Sequence, residues 1–199
     1  ADGTIDATIT YTYDTNGNVL TESSDIDGDG SADEIITSMY DMNGNLTTVS
    51  IDSDGNGMAN EIATFTYDAS GNVLTESIDF DANGTADETT TRTYDAKGNV
   101  LTEGTDFDAD GMADVMVTNV YDMNGNLVMA SFDNDGDTVT DLIVTNTYNI
   151  NGELVTQSTD FDANGTADEI ITNIYGSCVL PVELLFFKGA TTENGIQLH

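Results

Sequence analysis

The sequence predicts an all-β chain built as a tandem array of 27-residue repeats, and three observations carry that expectation. Tyr13, Tyr40, Tyr67, Tyr94, Tyr121, Tyr148 and Tyr175 stand 27 residues apart without a slip. An unbroken register over that length marks one supersecondary unit copied along the chain. Between successive tyrosines, segments rich in Thr, Val and Ile alternate with Gly- and Asn-bearing connections, the composition of strands joined by turns. No stretch has a helical period, and the one proline, Pro181, lies beyond the array.

The period divides the chain. Residues 13–174 hold six full repeats. Residues 1–12 read as the back half of another, because Asp2, Gly3 and Asp6 fall in register with Asp29, Gly30 and Asp33. Residues 175–199 follow a different pattern. The chain opens in mid-repeat, so it is expected to be a piece of something longer.

Residues 94–120 illustrate one unit. Tyr94-Asp95-Ala96-Lys97-Gly98-Asn99 is a tight turn: Asp can accept from the backbone ahead of it, and Gly or Asn takes positive φ at little cost. The same turn recurs at 14–18, 41–45, 68–72 and 122–126, and more loosely at 149–153. Val100–Thr105 then reads as a short strand, with Val100 and Thr102 on one face and Leu101 and Glu103 on the other. An acidic loop, Asp106–Asp114, interrupts it, and Val115–Val120 returns in β-branched residues. Each unit is therefore strand, acidic loop, strand, turn.

Two architectures accommodate such a unit. An antiparallel hairpin meander adds two strands per repeat and rises ~9.6 Å; a parallel two-sheet solenoid adds one coil and rises ~4.8 Å. The meander is expected, since a two-residue-type turn and a hairpin loop both suit adjacent antiparallel strands. The tyrosine column, the residue at loop position 2 (Ile26, Phe80, Phe107, Phe161) and the Ala at position 8 are expected to pack as core.

The acidic loop carries the chemistry. Its oxygen-bearing side chains at positions 1, 3, 5 and 9 are Asp25, Asp27, Asp29, Asp33; Asp52, Asp54, Asn56, Asn60; and Asp79, Asp81, Asn83, Asp87. The other three copies supply Asp106, Asp108, Asp110, Asp114; Asp133, Asp135, Asp137, Asp141; and Asp160, Asp162, Asn164, Asp168. Position 7, whose backbone carbonyl would complete the set, is Ser31, Met58, Thr85, Met112, Val139 and Thr166. A hard cation such as Ca²⁺ takes six to eight oxygens at ~2.3–2.6 Å, and a glycine at position 6 lets the chain curl round it. Mg²⁺ prefers smaller, water-rich octahedra, and zinc would want His or Cys, which the array lacks. About six Ca²⁺ ions are expected, one per full repeat.

The six loops are unequal. The loop from Asp52 has two carboxylates, and the loop from Asp133 has Thr138 in place of glycine. Both are expected to bind more weakly than the loops from Asp25 and Asp106.

Several resemblances rest on these residues. The first half of each loop resembles an EF-hand, but position 12, where that family has a bidentate Glu, is Ile36, Ala63, Thr90, Val117, Val144 or Ile171. The nine-residue Asp-x-Asp-x-Asp-Gly-x-x-Asp pattern is similar to the hairpin loops of integrin-type propeller repeats, and to thrombospondin type 3 and dockerin-like repeats. That resemblance implies Ca²⁺ held by positions 1, 3, 5, 7 and 9. Tyr67-Asp68-Ala69-Ser70-Gly71-Asn72 resembles the YD repeat of Rhs-type surface and toxin-shell proteins, although Asn stands where that family commonly has Arg. Cys178–Phe187, with Leu180-Pro181-Val182-Glu183-Leu184, resembles the segment that opens the C-terminal region of secreted Bacteroidota proteins using type IX secretion. It implies an extracellular or cell-surface location.

Composition narrows the function. The 37 acidic residues outnumber three basic ones, Arg92, Lys97 and Lys188, for a formal charge of −34. Nucleic acid and anionic membrane surfaces would be repelled, and no segment is apolar enough to span a bilayer. Cys178 is the single cysteine and His199 the single histidine, which leaves no activated nucleophile or base, so no enzyme is expected. The leading expectation is an extracellular calcium-stiffened fibre or stalk. A second is the repeat region of an adhesin binding glycan or another cell. A remote third is an ice- or mineral-binding face, from the column Thr37, Thr64, Thr91, Thr118, Thr145 and Thr172. Residues 182–187 and 195–198 would form two strands of an incomplete unit joined through 191–194, and exposed terminal edges would support head-to-tail self-association. A linker is the alternative for that tail.

Overall fold

In a computed structural model of the chain, residues 7–175 are described, together with the backbone of 189–192 and 195–198. Thirteen strands run in sequence order through one antiparallel sheet, from β1 (Thr8–Tyr13) and β2 (Val19–Asp25) to β12 (Leu154–Asp160) and β13 (Glu169–Thr172). Between them lie β3 (Glu34–Tyr40), β4 (Leu46–Asp52), β5 (Glu61–Tyr67), β6 (Val73–Asp79), β7 (Glu88–Tyr94), β8 (Val100–Asp106), β9 (Val115–Tyr121), β10 (Leu127–Asp133) and β11 (Leu142–Tyr148). The chain is a hairpin meander, and the solenoid alternative is set aside. Each repeat adds two strands, which places every tight turn along one rim of the sheet and every acidic loop along the opposite rim.

The turns are built alike. Asp68 Oδ1 accepts the N–H groups of Ser70 and Asn72 at 2.8 and 2.9 Å, and its Oδ2 accepts Asn72 Nδ2 at 2.8 Å. Asp14, Asp41, Asp95 and Asp122 hold their turns the same way. The Asn side-chain donor and the turn amides hold all five carboxyls below their ordinary pKa. In the sixth turn Asn149 Oδ1 takes over, accepting the N–H of Asn151 and Glu153.

A β-bulge follows each turn. Thr66 pairs Thr75, but Tyr67 pairs Val73, so Leu74 is skipped. On its other side each such strand pairs the following one only as far as Thr48 with Thr64, Thr75 with Thr91 and Met129 with Thr145. Beyond those pairs a tyrosine of the next repeat reaches a carbonyl: Tyr67 Oη donates to Leu46 O, Tyr94 Oη to Val73 O and Tyr148 Oη to Leu127 O, at 2.6, 2.7 and 2.9 Å. The tyrosine column is a hydrogen-bonded seam between repeats as well as packing.

The two faces differ. On one, the threonine column pairs Thr37 with Thr21, Thr64 with Thr48, Thr91 with Thr75, Thr118 with Thr102, and Thr172 with Thr156. Thr64, Thr91, Thr118 and Thr145 on this face are exposed. The other face carries Ile36, Ile51, Phe65, Ile78, Val117 and Phe132, all half-buried, with Arg92 joined to Glu103 at 2.6 Å and to Glu76 at 3.5 Å.

No second layer covers either face among the described residues. Ala130 is the one apolar side chain there that is buried; the other buried side chains are Asp52, Asp79, Thr90, Asp106, Asn146 and Asp160. Four of those six are first residues of acidic loops. Most of what this sheet buries is therefore polar, with four carboxylates and no hydrophobic core.

Part of the expected core stands outside. Ile26, Phe80, Phe107 and Phe161, expected to pack beside their loops, are 65, 53, 56 and 57% exposed. A position-2 side chain can be covered only by a facing layer, and the rim has none. The tail also departs from expectation. The strand paired with β15 (Gly195–Leu198) is β14 (Gly189–Thr192), partly inside the segment assigned to the connection. Residues 182–187, the Cys178–Phe187 segment and the Asp2–Asp6 half-loop lie outside the described residues.

Candidate metal centres

Each acidic loop is closed by its own carboxylates. The first aspartate ends a strand, and the residue before it pairs with the first residue of the next strand, as Ser24 with Glu34 and Thr105 with Val115. The main-chain N–H of position 9 then donates to the carbonyl just before position 1, as Asp114 to Thr105 at 2.8 Å. This fixes the mouth of the loop.

Inside, the amides point inward. The position-1 carboxylate accepts the N–H of position 6: Gly30 to Asp25, Gly57 to Asp52, Gly84 to Asp79, Gly111 to Asp106, Thr138 to Asp133 and Gly165 to Asp160, at 2.7–2.9 Å. The position-9 side chain accepts the N–H of position 2: Ile26 to Asp33, Ser53 to Asn60, Phe80 to Asp87, Phe107 to Asp114, Asn134 to Asp141 and Phe161 to Asp168. The position-5 oxygen accepts the N–H of position 7, so Asp29, Asn56, Asn83, Asp110, Asp137 and Asn164 hold Ser31, Met58, Thr85, Met112, Val139 and Thr166.

The curl converges carboxylates. Five groups have one oxygen from each member within 4.8 Å of the others: Asp25, Asp27, Asp29; Asp79, Asp81, Asp87; Asp106, Asp108, Asp114; Asp133, Asp135, Asp141; and Asp160, Asp162, Asp168. Four groups use positions 1, 3 and 9, and the first uses 1, 3 and 5. Asp33, Asp110 and Asp137 stay outside these triads. The loop from Asp52, whose ninth residue is Asn60, assembles no three-carboxylate group.

One atom is out of balance. Asp106 Oδ1 is fully enclosed and has no hydrogen-bond partner, while Asp106 as a whole is 9% exposed. Leaving a carboxylate oxygen buried and unpaired costs a few kcal/mol. Burial pushes the Asp106 pKa up, but the Gly111 N–H, which donates to Oδ2 at 2.8 Å, and the nearby amides of Asp108, Ala109 and Asp110 hold it below the ordinary value. Asp52 and Asp79 are likewise pushed up by burial and held down overall by the amides of Gly57 and Gly84. Asp106 is itself a member of the Asp106, Asp108 and Asp114 triad, and anionic oxygens clustered in this way are a donor set that a divalent cation satisfies.

Backbone strain separates the loops further. Position 6 has positive φ throughout: 89–95° at Gly30, Gly57, Gly84, Gly111 and Gly165, and 69° at Thr138. Position 4 is left-handed as well, and there the sequence gives no warning. Gly28, Gly55 and Gly136 fill it in three loops, but Ala82, Ala109 and Ala163 adopt φ of 53, 56 and 49° in the others. An L-residue in that region costs ~1–2 kcal/mol, so each of these loops stores strain that its internal hydrogen bonds offset.

Comparison with known proteins places the fold. Residues 40–86 match the family model described as RHS Repeat, a little under a quarter of the chain. No curated protein matches. Among solved structures, the crystal structure of TcdB2-TccC3-TEV is 18% identical with a TM-score of 0.58, covering 77% of this chain and 8% of that one. The crystal structures of TcdB2-TccC3-Cdc42 and of TcdB2-TccC3 without its hypervariable C-terminal region align over 83% of this chain and 10% of theirs, at 17 and 16% identity and TM-scores of 0.47. At such identity the likeness is one of fold, a long antiparallel repeat sheet. The chain spans about a tenth or less of those proteins.

Proposed function

We propose that this chain is an extracellular structural β-sheet stiffened by calcium, a stretch of stalk or wall without catalytic activity. The enclosed, unpartnered Oδ1 of Asp106 carries the reading, because it is an anionic site built and left open inside a ring of amides and carboxylates. The absence of a facing layer supports it too. A sheet with one buried apolar side chain among the described residues has little hydrophobic stabilisation to draw on, and cation binding supplies folding free energy where packing does not. Calcium fits the oxygen-only donors, and extracellular concentrations suit modest affinities. The match to the RHS Repeat model supports a structural repeat role.

For self-association, the sheet favours like edges. Among the described residues β1 and β13 run in the same direction, so head-to-tail contact between them would be parallel, unlike every pairing inside the sheet. Antiparallel contact pairs β1 with β1, or β13 with β13, of a second copy about a two-fold axis; one such contact makes a dimer, and both together extend a filament. Beside the column of Thr37, Thr64, Thr91, Thr118, Thr145 and Thr172, other threonine hydroxyls bond one another, Thr12 with Thr21, Thr66 with Thr75, Thr93 with Thr102 and Thr147 with Thr156, each at 2.6 Å, and of the column itself Thr145 bonds Ser158 at 2.6 Å.

Equilibrium dialysis against labelled calcium at physiological ionic strength tests the reading. Saturation near six ions per chain supports it, with the loops from Asp52 and Asp133 filling last. Fewer than two ions per chain at millimolar calcium would overturn it.

A further inference from the structure

Neighbouring acidic loops do not all keep the same distance. At Gly55, position 4 of the second loop, an added Cβ would fall 1.8 Å from the carbonyl oxygen of Ala32 and 2.8 Å from its carbon, in the first loop. At Gly136, position 4 of the fifth loop, it would fall 2.7 Å from Ala113 O and 3.1 Å from the Cα of Asp114, in the fourth loop. The third, fourth and sixth loops carry a real Cβ at this place, on Ala82, Ala109 and Ala163. Four of the six loops thus form two pressed pairs, first with second and fourth with fifth, while the third and sixth stand outside them.

The pairing joins unequal members. The second loop lacks a three-carboxylate group, and the fifth holds Thr138 at a strained φ of 69°. Their partners are the loop of Asp25, Asp27 and Asp29, and the loop whose Asp106 Oδ1 is enclosed and unpaired. Asp114 is the shared part in the second pair. Its side chain belongs to the fourth-loop triad, and its backbone forms the bed on which Gly136 rests. Gly136 in turn donates its N–H to Asp133 Oδ1 at 2.8 Å, so the bed is one bond away from the first carboxylate of the fifth loop.

We propose that cation binding is coupled within these pairs, the better-formed loop filling first and ordering the bed on which its weaker neighbour closes. This rests on the calcium reading above and concerns its regulation. An ion in the fourth loop draws the Asp114 carboxylate toward Asp106 and Asp108 and fixes the Asp114 main chain. The fifth loop then closes against a fixed surface and loses less freedom on binding, which raises its affinity. Linkage makes the effect mutual: an ion in the fifth loop tightens the fourth by the same factor.

Calcium titration of the isotope-labelled full chain, followed by NMR at the amides of Gly136 and Thr138, reads the fifth loop alone. Asp108→Ala empties the fourth loop without touching the fifth, and should raise the calcium concentration at half-saturation of the fifth loop about fivefold or more. Asp81→Ala empties the third loop, which is not pressed against the fifth, and should leave that midpoint within twofold. A midpoint unmoved by Asp108→Ala, or moved equally by both variants, would overturn the coupling while leaving calcium binding intact. Amides that do not respond to calcium in the wild-type chain would overturn the calcium reading itself, and the coupling with it.

Discussion

The hydroxyl of Tyr94 donates to the carbonyl of Val73 at 2.7 Å, across one repeat and twenty-one residues of chain. That carbonyl is available because the β6–β7 ladder stops at Thr75 and Thr91, short of Val73. The seam ties repeat to repeat on the turn rim, away from the acidic loops. At Tyr121 the partner is different: Asn119 Nδ2 reaches Val100 O at 3.1 Å.

Tyr94→Phe should therefore cost about 1 kcal/mol, the net worth of one hydrogen bond, while Tyr121→Phe should cost clearly less. Hydrogen exchange localises the effect, with faster exchange at the β6–β7 side of the sheet in the first variant. Equal losses for the two would show that the tyrosines act by packing alone.

Thr138→Gly removes an L-residue from left-handed backbone. The relief of ~1–2 kcal/mol is partly offset by the ~0.5–1 kcal/mol that glycine loses in chain entropy, so a net gain of under about 1 kcal/mol is expected. Gly55→Ala should go the other way and by more, because its methyl meets main-chain atoms of Ala32 and not a movable side chain. Chemical denaturation of the two variants side by side checks the order.

The turn aspartates set an acid limit. Asn side-chain and main-chain donors hold Asp14, Asp41, Asp68, Asp95 and Asp122 below their ordinary pKa in the folded chain. Their contribution is thus fully present above the unfolded Asp value of about 4, and is lost as pH falls through the depressed folded values. The turn at Asn149 keeps its Oδ1 acceptor at every pH. Amide exchange in calcium-free buffer should show the Gly17, Gly44, Gly71, Gly98 and Gly125 turns opening on acidification while Gly152 holds longer. Loss of all six turns together would contradict this.

Much of this was legible from spacing. The 27-residue tyrosine register, the Asp-x-x-Gly-Asn turns and the nine-residue loops gave the meander and its strand order. Periodicity says nothing about what faces a sheet, so the position-2 residues read as core and proved exposed. Ala82, Ala109 and Ala163 look like ordinary helix- or strand-neutral residues, and only the closed curl of the loop forces them to positive φ. The pressing of Gly55 on Ala32 and of Gly136 on Ala113 arises between repeats, at a distance that one repeat read alone does not contain.

On the proposed reading, calcium holds this sheet together where a hydrophobic core does not. Thermal unfolding of the chain in millimolar calcium, against the same chain in excess chelator with magnesium supplied, tests it most directly. The melting temperature should be higher by about 5 °C or more with calcium, and the loop rim loosened without it. Coincident melting curves in the two buffers would overturn the calcium reading.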